Sequence, residues 1–168
     1  MRKVRVGVIG AGWWATFNHM PQLASRGDVE LSGVCRLGKD LLEKIQQRFE
    51  IPFATEDYRE LLAQDLDAVI VSTPHHLHHE HAGAALRRGL HVMCEKPMTL
   101  DPARAWELVR LAEEKQRTLL VPYGWNYKPF SQDAKRLMEG GRWERLSTPC
   151  VTWLHRPRSS SARAARWK

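Results

Sequence analysis

The chain begins with a short apolar segment that runs directly into a glycine-rich turn. Val4 to Ile9 has the composition of a buried strand, and Gly10-Ala11-Gly12-Trp13-Trp14-Ala15 follows it. This is the pattern G-x-G-x-x-A, placed after a strand and before a helical stretch, which is the context of a dinucleotide-binding turn. Gly10 would permit the tight turn, and Gly12 would let the backbone approach a pyrophosphate. A plain strand-to-helix turn is the alternative, and the context favours nucleotide binding.

Beyond this turn, strand-like and helix-like segments alternate. Further strands are expected at residues 29–35, 53–55, 68–72, 90–94 and 118–121, with helices starting near Gly12, Lys39, Asp57, Leu77 and Asp101. The last helix is the clearest, because Asp101 suits the N-cap and Pro102 suits the first helical position. Strands that alternate with helices predict a parallel sheet with right-handed crossovers. The expected fold class is α/β, a doubly wound parallel sheet of the Rossmann type.

Two of the predicted strands end in polar residues and a proline. One ends in Ser72-Thr73-Pro74, with His78 shortly after, and the other ends in Glu95-Lys96-Pro97. Open α/β sheets bind ligands at the carboxyl edge, where such residues meet. The alternative is that these are solvated residues that merely close a strand.

The chain carries a formal net charge of +7, but the excess lies in one segment. Between Arg142 and Lys168 there are seven Lys or Arg residues and one acidic residue, so residues 1–141 carry only +1. Nucleic-acid binding needs a folded basic face or a functional basic arm. We therefore expect no nucleic-acid partner, and interaction through a basic tail is the weakest alternative.

Other partner classes are disfavoured by further patterns. No apolar run approaches the roughly 18 residues of a membrane span, and no signal peptide is recognisable, so we expect a cytoplasmic protein without a membrane partner. Cys35, Cys94 and Cys150 lie far apart, which disfavours disulfides and zinc sites. The histidine-rich stretch from His75 to His81 fits neither H-E-x-x-H nor H-x-x-E-H, so no functional metal is expected.

With the glycine turn and the two strand ends in this order, residues 3–140 resemble the glucose-fructose oxidoreductase, inositol dehydrogenase and MocA (Gfo/Idh/MocA) family. The resemblance implies an NAD- or NADP-dependent oxidoreductase that acts on a sugar, a cyclitol or a related polyol. It also implies a Rossmann domain followed by a larger α/β domain, which supplies much of the substrate pocket and the oligomer interface. A homo-oligomer is therefore among the expected assemblies.

The resemblance also implies roles for individual residues. Backbone groups of Gly12, Trp13 and Trp14 would meet the pyrophosphate. Residues near the ribose and nicotinamide would be Thr73, Pro74 and His78, with Glu95 and Lys96 beside the nicotinamide. Lys96 is the catalytic candidate, because the family's lysine contacts both cofactor and substrate hydroxyl, and the bond before Pro97 would be cis. The full set of cofactor-binding candidates is Gly10, Gly12, Trp13, Trp14, Arg36, Ser72, Thr73, Pro74, His78, Glu95 and Lys96.

Arg36 departs from the pattern of NAD-binding relatives. Where those place an acidic residue to hold the ribose 2′-hydroxyl, this chain has Cys35-Arg36-Leu37. A guanidinium there suits a 2′-phosphate, which favours NADP over NAD. The alternatives are an arginine that stacks on adenine and a solvated loop arginine.

The tryptophan pair has two interpretations. In the preferred one, either Trp13 or Trp14 packs into the core between helix and sheet, while the other caps the cofactor cleft by shape. The alternative is specific stacking on the cofactor.

The carboxyl-terminal part departs most from the family. We expect a Rossmann domain at residues 1–121, and a crossover with the start of a truncated second domain at 122–155. A helix at 132–141 and a strand at 149–155 would belong to that start, and residues 156–168 have the composition of a disordered basic tail. The family's substrate-binding aspartate and histidine would be absent. A module that binds NAD(P) without turnover is therefore an open alternative to an oxidoreductase.

Overall fold

The structure is a computed structural model that describes residues 2–139. The predicted strand at 149–155 and the predicted tail at 156–168 lie outside the described residues. The chain divides into two compact units between Pro122 and Tyr123.

The first unit is built on six parallel strands. They are β1 Val4–Ile9, β2 Val29–Cys35, β3 Phe53–Thr55, β4 Ala68–Val71, β5 His91–Cys94 and β6 Leu119–Leu120. Their order is β3-β2-β1-β4-β5-β6, with every neighbouring pair parallel. The predicted doubly wound sheet is confirmed. The strand order reverses between β1 and β4, where ligands bind in open α/β sheets.

Helices connect the strands. A π-helix, Ala15–His19, leads into α1 Met20–Ala24, and α2 Lys39–Phe49 and α3 Tyr58–Leu62 follow β2 and β3. A 3-10 turn, His75–Leu77, precedes α4 His78–Arg87, and α5 Pro102–Glu114 follows β5. The predicted cap is confirmed, since Asp101 Oδ1 accepts a 2.8 Å hydrogen bond from the Ala103 N–H.

Two apolar clusters lie on opposite faces of the sheet. Successive strand residues point to opposite faces, so Val8 and Ile9 belong to different clusters. The Val8 cluster includes Met20 of α1 and residues of α2, whereas the Ile9 cluster includes Leu86 of α4 and Leu108 of α5. The strands are thereby fixed from both sides, and their carboxyl ends keep defined positions.

Within the described residues, the second unit contains a 3-10 turn, Gly124–Tyr127, and the amphipathic helix α6 Pro129–Glu139. The helix predicted at 132–141 thus begins three residues earlier, and positions 140 and 141 lie outside the described part. None of the helices in residues 2–139 combines the length and the apolar character that crossing a bilayer requires.

Candidate functional site

The carboxyl edge of the sheet brings the three sequence motifs together. Backbone hydrogen bonds continue past the strand ends: Gly10 N–H donates to Cys35 O at 2.8 Å, and Ser72 N–H donates to Ile9 O at 2.8 Å. The Glu95 N–H donates to Val71 O at 2.9 Å. The loops after β1, β4 and β5 are therefore adjacent, and the β1 loop is also fixed to the end of β2.

The two glycines of the turn have different roles. Gly10 has φ +87°, and a Cβ there would lie 2.6 Å from the backbone nitrogen of Thr73. A side chain at this position would strain the backbone and separate the β1 and β4 loops. A Cβ on Gly12 would meet nothing within 4 Å, so the backbone is open to a ligand there. Trp13 and Trp14 form the first helical turn after it, where amides have no acceptor within the helix. These features fit a dinucleotide pyrophosphate.

A cleft of about 400 Å³ lies over this edge. Six of the predicted residues line it: Gly10, Gly12, Arg36, Ser72, Thr73 and Pro74. The Arg36 guanidinium is held at the cleft by Nη1 donating to Ala11 O at 3.2 Å and Nε donating to Leu37 O at 3.0 Å. The cation that distinguishes this chain from the NAD pattern thus lies at the same cleft as the glycine turn.

Two aromatic side chains that the sequence did not indicate also line the cleft. The rings of Tyr58 and His81 lie 4.5 Å apart, and Thr73 Oγ1 lies 3.1 Å from His81 Nδ1. Burial lowers the pKa of His81. Its ring is therefore neutral near pH 7, and it supports the β4 loop by packing and by one hydrogen bond.

A second group of predicted residues surrounds the buried carboxylate of Glu95. Its Oε1 accepts 2.7 Å hydrogen bonds from Trp14 Nε1 and His19 Nε2, and its Oε2 accepts a 3.1 Å bond from the Lys96 N–H. Burial alone would raise the pKa of Glu95, but these hydrogen bonds outweigh it and lower the pKa. The Glu95 side chain is therefore an ionised carboxylate, and both of its oxygens accept hydrogen bonds.

Lys96 lies on the solvent side of the Glu95 carboxylate. Its side chain is exposed, and its Nζ is 5.1 Å from the ring centroid of Trp14. The Lys96-Pro97 peptide bond is cis, as the resemblance implied. The ammonium thus rests near an indole face, where a cation is attracted by the ring quadrupole.

The expectation that one of the two tryptophans packs in the core is wrong. Trp13 is 67% exposed and Trp14 is 40% exposed. The core positions between the helix and the sheet are taken by Ala11 and Ala15, which are completely buried. Such small residues bring the backbone close to the sheet and leave no space for an indole, so both tryptophans point outward.

Sequence reasoning missed His19, the second donor to Glu95. In an α-helix, residues four apart share a face, which pairs Trp14 with Asn18. The segment Ala15–His19 is a π-helix, whose wider turn is closed by hydrogen bonds between residues five apart, and Trp14 and His19 both reach Glu95. No local sequence pattern predicts the π-helix, so the residue spacing of an α-helix could not identify His19 as a partner of Glu95.

His78 differs from the role that the resemblance implied. Its side chain is completely buried and does not line the cleft. Its Nδ1 lies 2.8 Å from Pro97 O, and its Nε2 lies 2.8 Å from Thr73 O. Because carbonyl oxygens only accept, each contact is a hydrogen bond when the ring nitrogen that makes it carries hydrogen. His78 connects the β4 and β5 loops beneath the cleft, so it reaches a ligand only through them.

The other histidines of this stretch point in different directions. His79 pairs with Glu107 on α5 at 2.9 Å, and the His75 ring stacks edge-on against His78. In the part of the chain that the structure describes, no three metal-ligating side chains are grouped to hold an ion. Burial raises the pKa of the thiols of Cys35 and Cys94 to about 12, so neither is a nucleophile near neutral pH.

Comparison with known proteins gives a consistent family match. The model of an oxidoreductase family with an NAD-binding Rossmann fold, GFO_IDH_MocA, matches residues 4–123. That range contains the glycine turn, both polar strand ends and the whole six-stranded sheet.

Individual relatives agree with this match. D-glucoside 3-dehydrogenase from Escherichia coli is 33% identical over 137 residues, which cover 81% of this chain and 38% of that protein. The scyllo-inositol 2-dehydrogenase (NADP(+)) IolW from Bacillus subtilis is 28% identical over 167 residues, covering 98% and 45%. The solved structure of KijD10, a 3-ketoreductase from Actinomadura kijaniata in complex with NADP, is 31% identical with a TM-score of 0.78, covering 83% and 45%. The chain spans less than half the length of these relatives.

Proposed function

Because the chain belongs to the Gfo/Idh/MocA family of oxidoreductases with an NAD-binding Rossmann fold, we propose that it binds a nicotinamide dinucleotide along the carboxyl edge of its sheet. Hydride would then move between the nicotinamide and a hydroxyl-bearing carbon of a sugar, cyclitol or related polyol. The observation that carries the proposal is the convergence of the glycine turn, the Thr73 loop and the Glu95-Lys96 strand end at one edge. In this proposal residues 1–121 are the cofactor domain, and 122–155 begin the second domain.

The glycine turn supplies the phosphate-binding part of the site. Gly12 leaves its backbone open, and the amides of Trp13 and Trp14 start the helix beside it. Aligned helix amides favour negative charge at this end. Ser72, Thr73 and Pro74 would form the adjacent wall of the dinucleotide site.

Arg36 supports NADP as the cofactor. Its guanidinium is fixed at the cleft by two backbone carbonyls, and it carries the positive charge that a 2′-phosphate needs. The names of two of the relatives above also specify NADP, which agrees with this choice. An adenine-stacking role for Arg36 would instead give similar affinities for NADPH and NADH.

Lys96 is the proposed catalytic residue. When bound, the cofactor donates or accepts the hydride. The Lys96 ammonium would hydrogen-bond the substrate oxygen, holding it in place and stabilising the negative charge that develops there. Glu95 lies too deep to touch a substrate, and it contributes by fixing its neighbours.

A fluorescence titration tests cofactor binding directly. We expect the wild-type chain to bind NADPH more tightly than NADH, and Gly12→Asp to lose both because a carboxylate would repel the pyrophosphate. Gly27→Asp is the matched control, since Gly27 is an equally open glycine in a distant loop. Binding by Gly12→Asp that equals binding by Gly27→Asp would contradict the proposed site.

Turnover separates an enzyme from a binding module. Cofactor oxidation or reduction is followed spectroscopically with a panel of polyols and keto-sugars. Turnover that disappears in Lys96→Met supports the oxidoreductase, whereas cofactor binding without turnover supports a module that only holds NAD(P).

A further inference from the structure

The backbone of Lys96 is held from both sides by residues that do not reach the cleft. On the amino side, the Glu95 carboxylate accepts a hydrogen bond from the Lys96 N–H itself. On the carboxyl side, the Pro97 carbonyl lies against His78. Lys96, whose side chain is exposed, is therefore the middle residue of Glu95-Lys96-Pro97, and both of its neighbours make buried contacts.

The amino-side contact depends on His19. Glu95 is 6% exposed, so its carboxylate needs donors in place of water. Trp14 and His19 meet this need at the same oxygen, Oε1, which leaves Oε2 directed to the Lys96 N–H. Without His19, a buried charge would lose one of its three donors, and the carboxylate would turn towards other partners.

The carboxyl-side contact depends on His78. This ring spans the gap between Thr73 O and Pro97 O, with 2.8 Å on each side. It therefore sets the separation of the β4 loop, which lines the cleft, from the segment that carries Lys96.

We propose that His19 and His78 are positioning residues for Lys96, acting through Glu95 and through the Pro97 carbonyl. Their combined effect holds the ammonium near the Trp14 indole. The proposal rests on the proposed function only in giving Lys96 its contact with the substrate hydroxyl. A catalytic group displaced by about 1 Å loses roughly a hundredfold in rate, so the two histidines would govern turnover without touching substrate.

A spectroscopic signature tests the placement without any cofactor or turnover. Reductive methylation with ¹³C-formaldehyde labels every lysine of the full chain and keeps its positive charge. The Lys96 resonance is identified by its absence in Lys96→Arg. We expect it upfield of the resonance of exposed Lys44, because the ring current of Trp14 acts on a group 5.1 Å from its centroid.

Substitutions of His19 then separate positioning from bulk structure. His19→Ala should move the Lys96 resonance to the position of Lys44, while His19→Gln, which keeps a donor for Glu95, should retain the upfield shift. His79→Ala is the control, since His79 pairs with Glu107 outside this network. The flexible amide of His78→Gln does not hold the two carbonyls at the spacing that the rigid ring sets, so it should reduce the shift. A full upfield shift in His78→Gln, or in His78→Asn if His78→Gln does not fold, overturns the role of His78, and the His19 pair decides the role of His19.

The results also distinguish this inference from the proposed function. We expect His19→Ala to bind NADPH within twofold of wild type and to lose ten- to a hundredfold in kcat, with His19→Gln restoring most of it. A Lys96 resonance that is unshifted in wild type, or equally shifted in wild type and His19→Ala, overturns the positioning role. A wild-type chain that binds neither NADPH nor NADH overturns the proposed function, while the resonance still tests the positioning.

Discussion

The indole Nε1 of Trp14 donates a 2.7 Å hydrogen bond to Oε1 of Glu95, which lies 81 residues later in the chain. This bond joins the helix that follows the glycine turn to the end of β5. Although the Trp14 ring is partly exposed, its Nε1 hydrogen-bonds a buried carboxylate, so this surface residue contributes to the stability of the interior.

We expect Trp14→Phe to destabilise the first unit by about 1–2 kcal/mol, since a buried carboxylate loses one charge-assisted donor. The pKa of Glu95 should rise towards its usual value, so acid unfolding should begin at a higher pH than in wild type. Urea unfolding at several pH values measures both effects. Trp13→Phe is the matched control, because Trp13 is 67% exposed and lies outside the Glu95 network. Equal stability losses in the two variants would contradict the role assigned to this bond.

Gly10→Ala should cost more stability than Gly38→Ala. Both glycines have positive φ, at +87° and +94°, so each alanine carries a similar backbone penalty of about 1–2 kcal/mol. Only at Gly10 would the new Cβ also meet backbone atoms at 2.6 Å, whereas Gly38 has open space. The difference between the two midpoints of thermal unfolding isolates the contact with the Thr73 loop. A larger loss of stability in Gly38→Ala than in Gly10→Ala would contradict the close contact between Gly10 and the Thr73 loop.

Asp67 should make stability depend on pH in the acidic range. Its hydrogen bonds from the side chain and backbone of Arg5 lower the pKa of Asp67 to about 2. A depressed pKa means that the stabilisation is fully present above about pH 4 and is lost as the pH falls towards 2. Asp67→Asn should therefore be less stable than wild type at pH 7, with the gap closing by about pH 2. Denaturant unfolding from pH 2 to 7 measures the gap. A gap that persists at pH 2 would mean that Asp67 acts by packing.

Arg36→Ala should weaken NADPH binding by about ten- to a hundredfold, the loss typical of a charge-assisted contact. NADH binding should change little, because NADH has no 2′-phosphate. Paired titrations of Arg36→Ala and wild type with both cofactors give the ratio. Arg104→Ala on the exposed side of α5 is the control. A parallel loss of NADH and NADPH affinity would favour stacking on adenine.

The strands were predictable because each is a short apolar run with turn residues at its ends. The predicted bounds of β1, β2 and β3 agree with the structure, and those of β4, β5 and β6 are one residue too long at one or both ends. Hydrophobic periodicity and turn residues are local properties of the chain, so the strand bounds can be predicted from a single sequence.

The features that could not be predicted depend on tertiary contacts. Whether an indole at Trp14 enters the core depends on how closely Ala11 and Ala15 bring the helix to the sheet, which no local pattern states. The pairing of His19 with Glu95 requires both the π-helix and the strand order β1-β4-β5, which brings the helix after β1 to the end of β5. The burial of His78 likewise becomes visible only when the β4 and β5 loops are adjacent.

The hydrogen bonds that run past the strand ends, from Gly10 to Cys35, from Ser72 to Ile9 and from Glu95 to Val71, make four strand termini one stiff body. The loops at this edge are already ordered before a ligand binds. The entropic cost of ordering them is therefore part of the free energy of folding and does not reduce the affinity for the ligand. Preorganisation of this kind also lets side chains at the rim, such as Arg36, change during evolution without disturbing the scaffold beneath them.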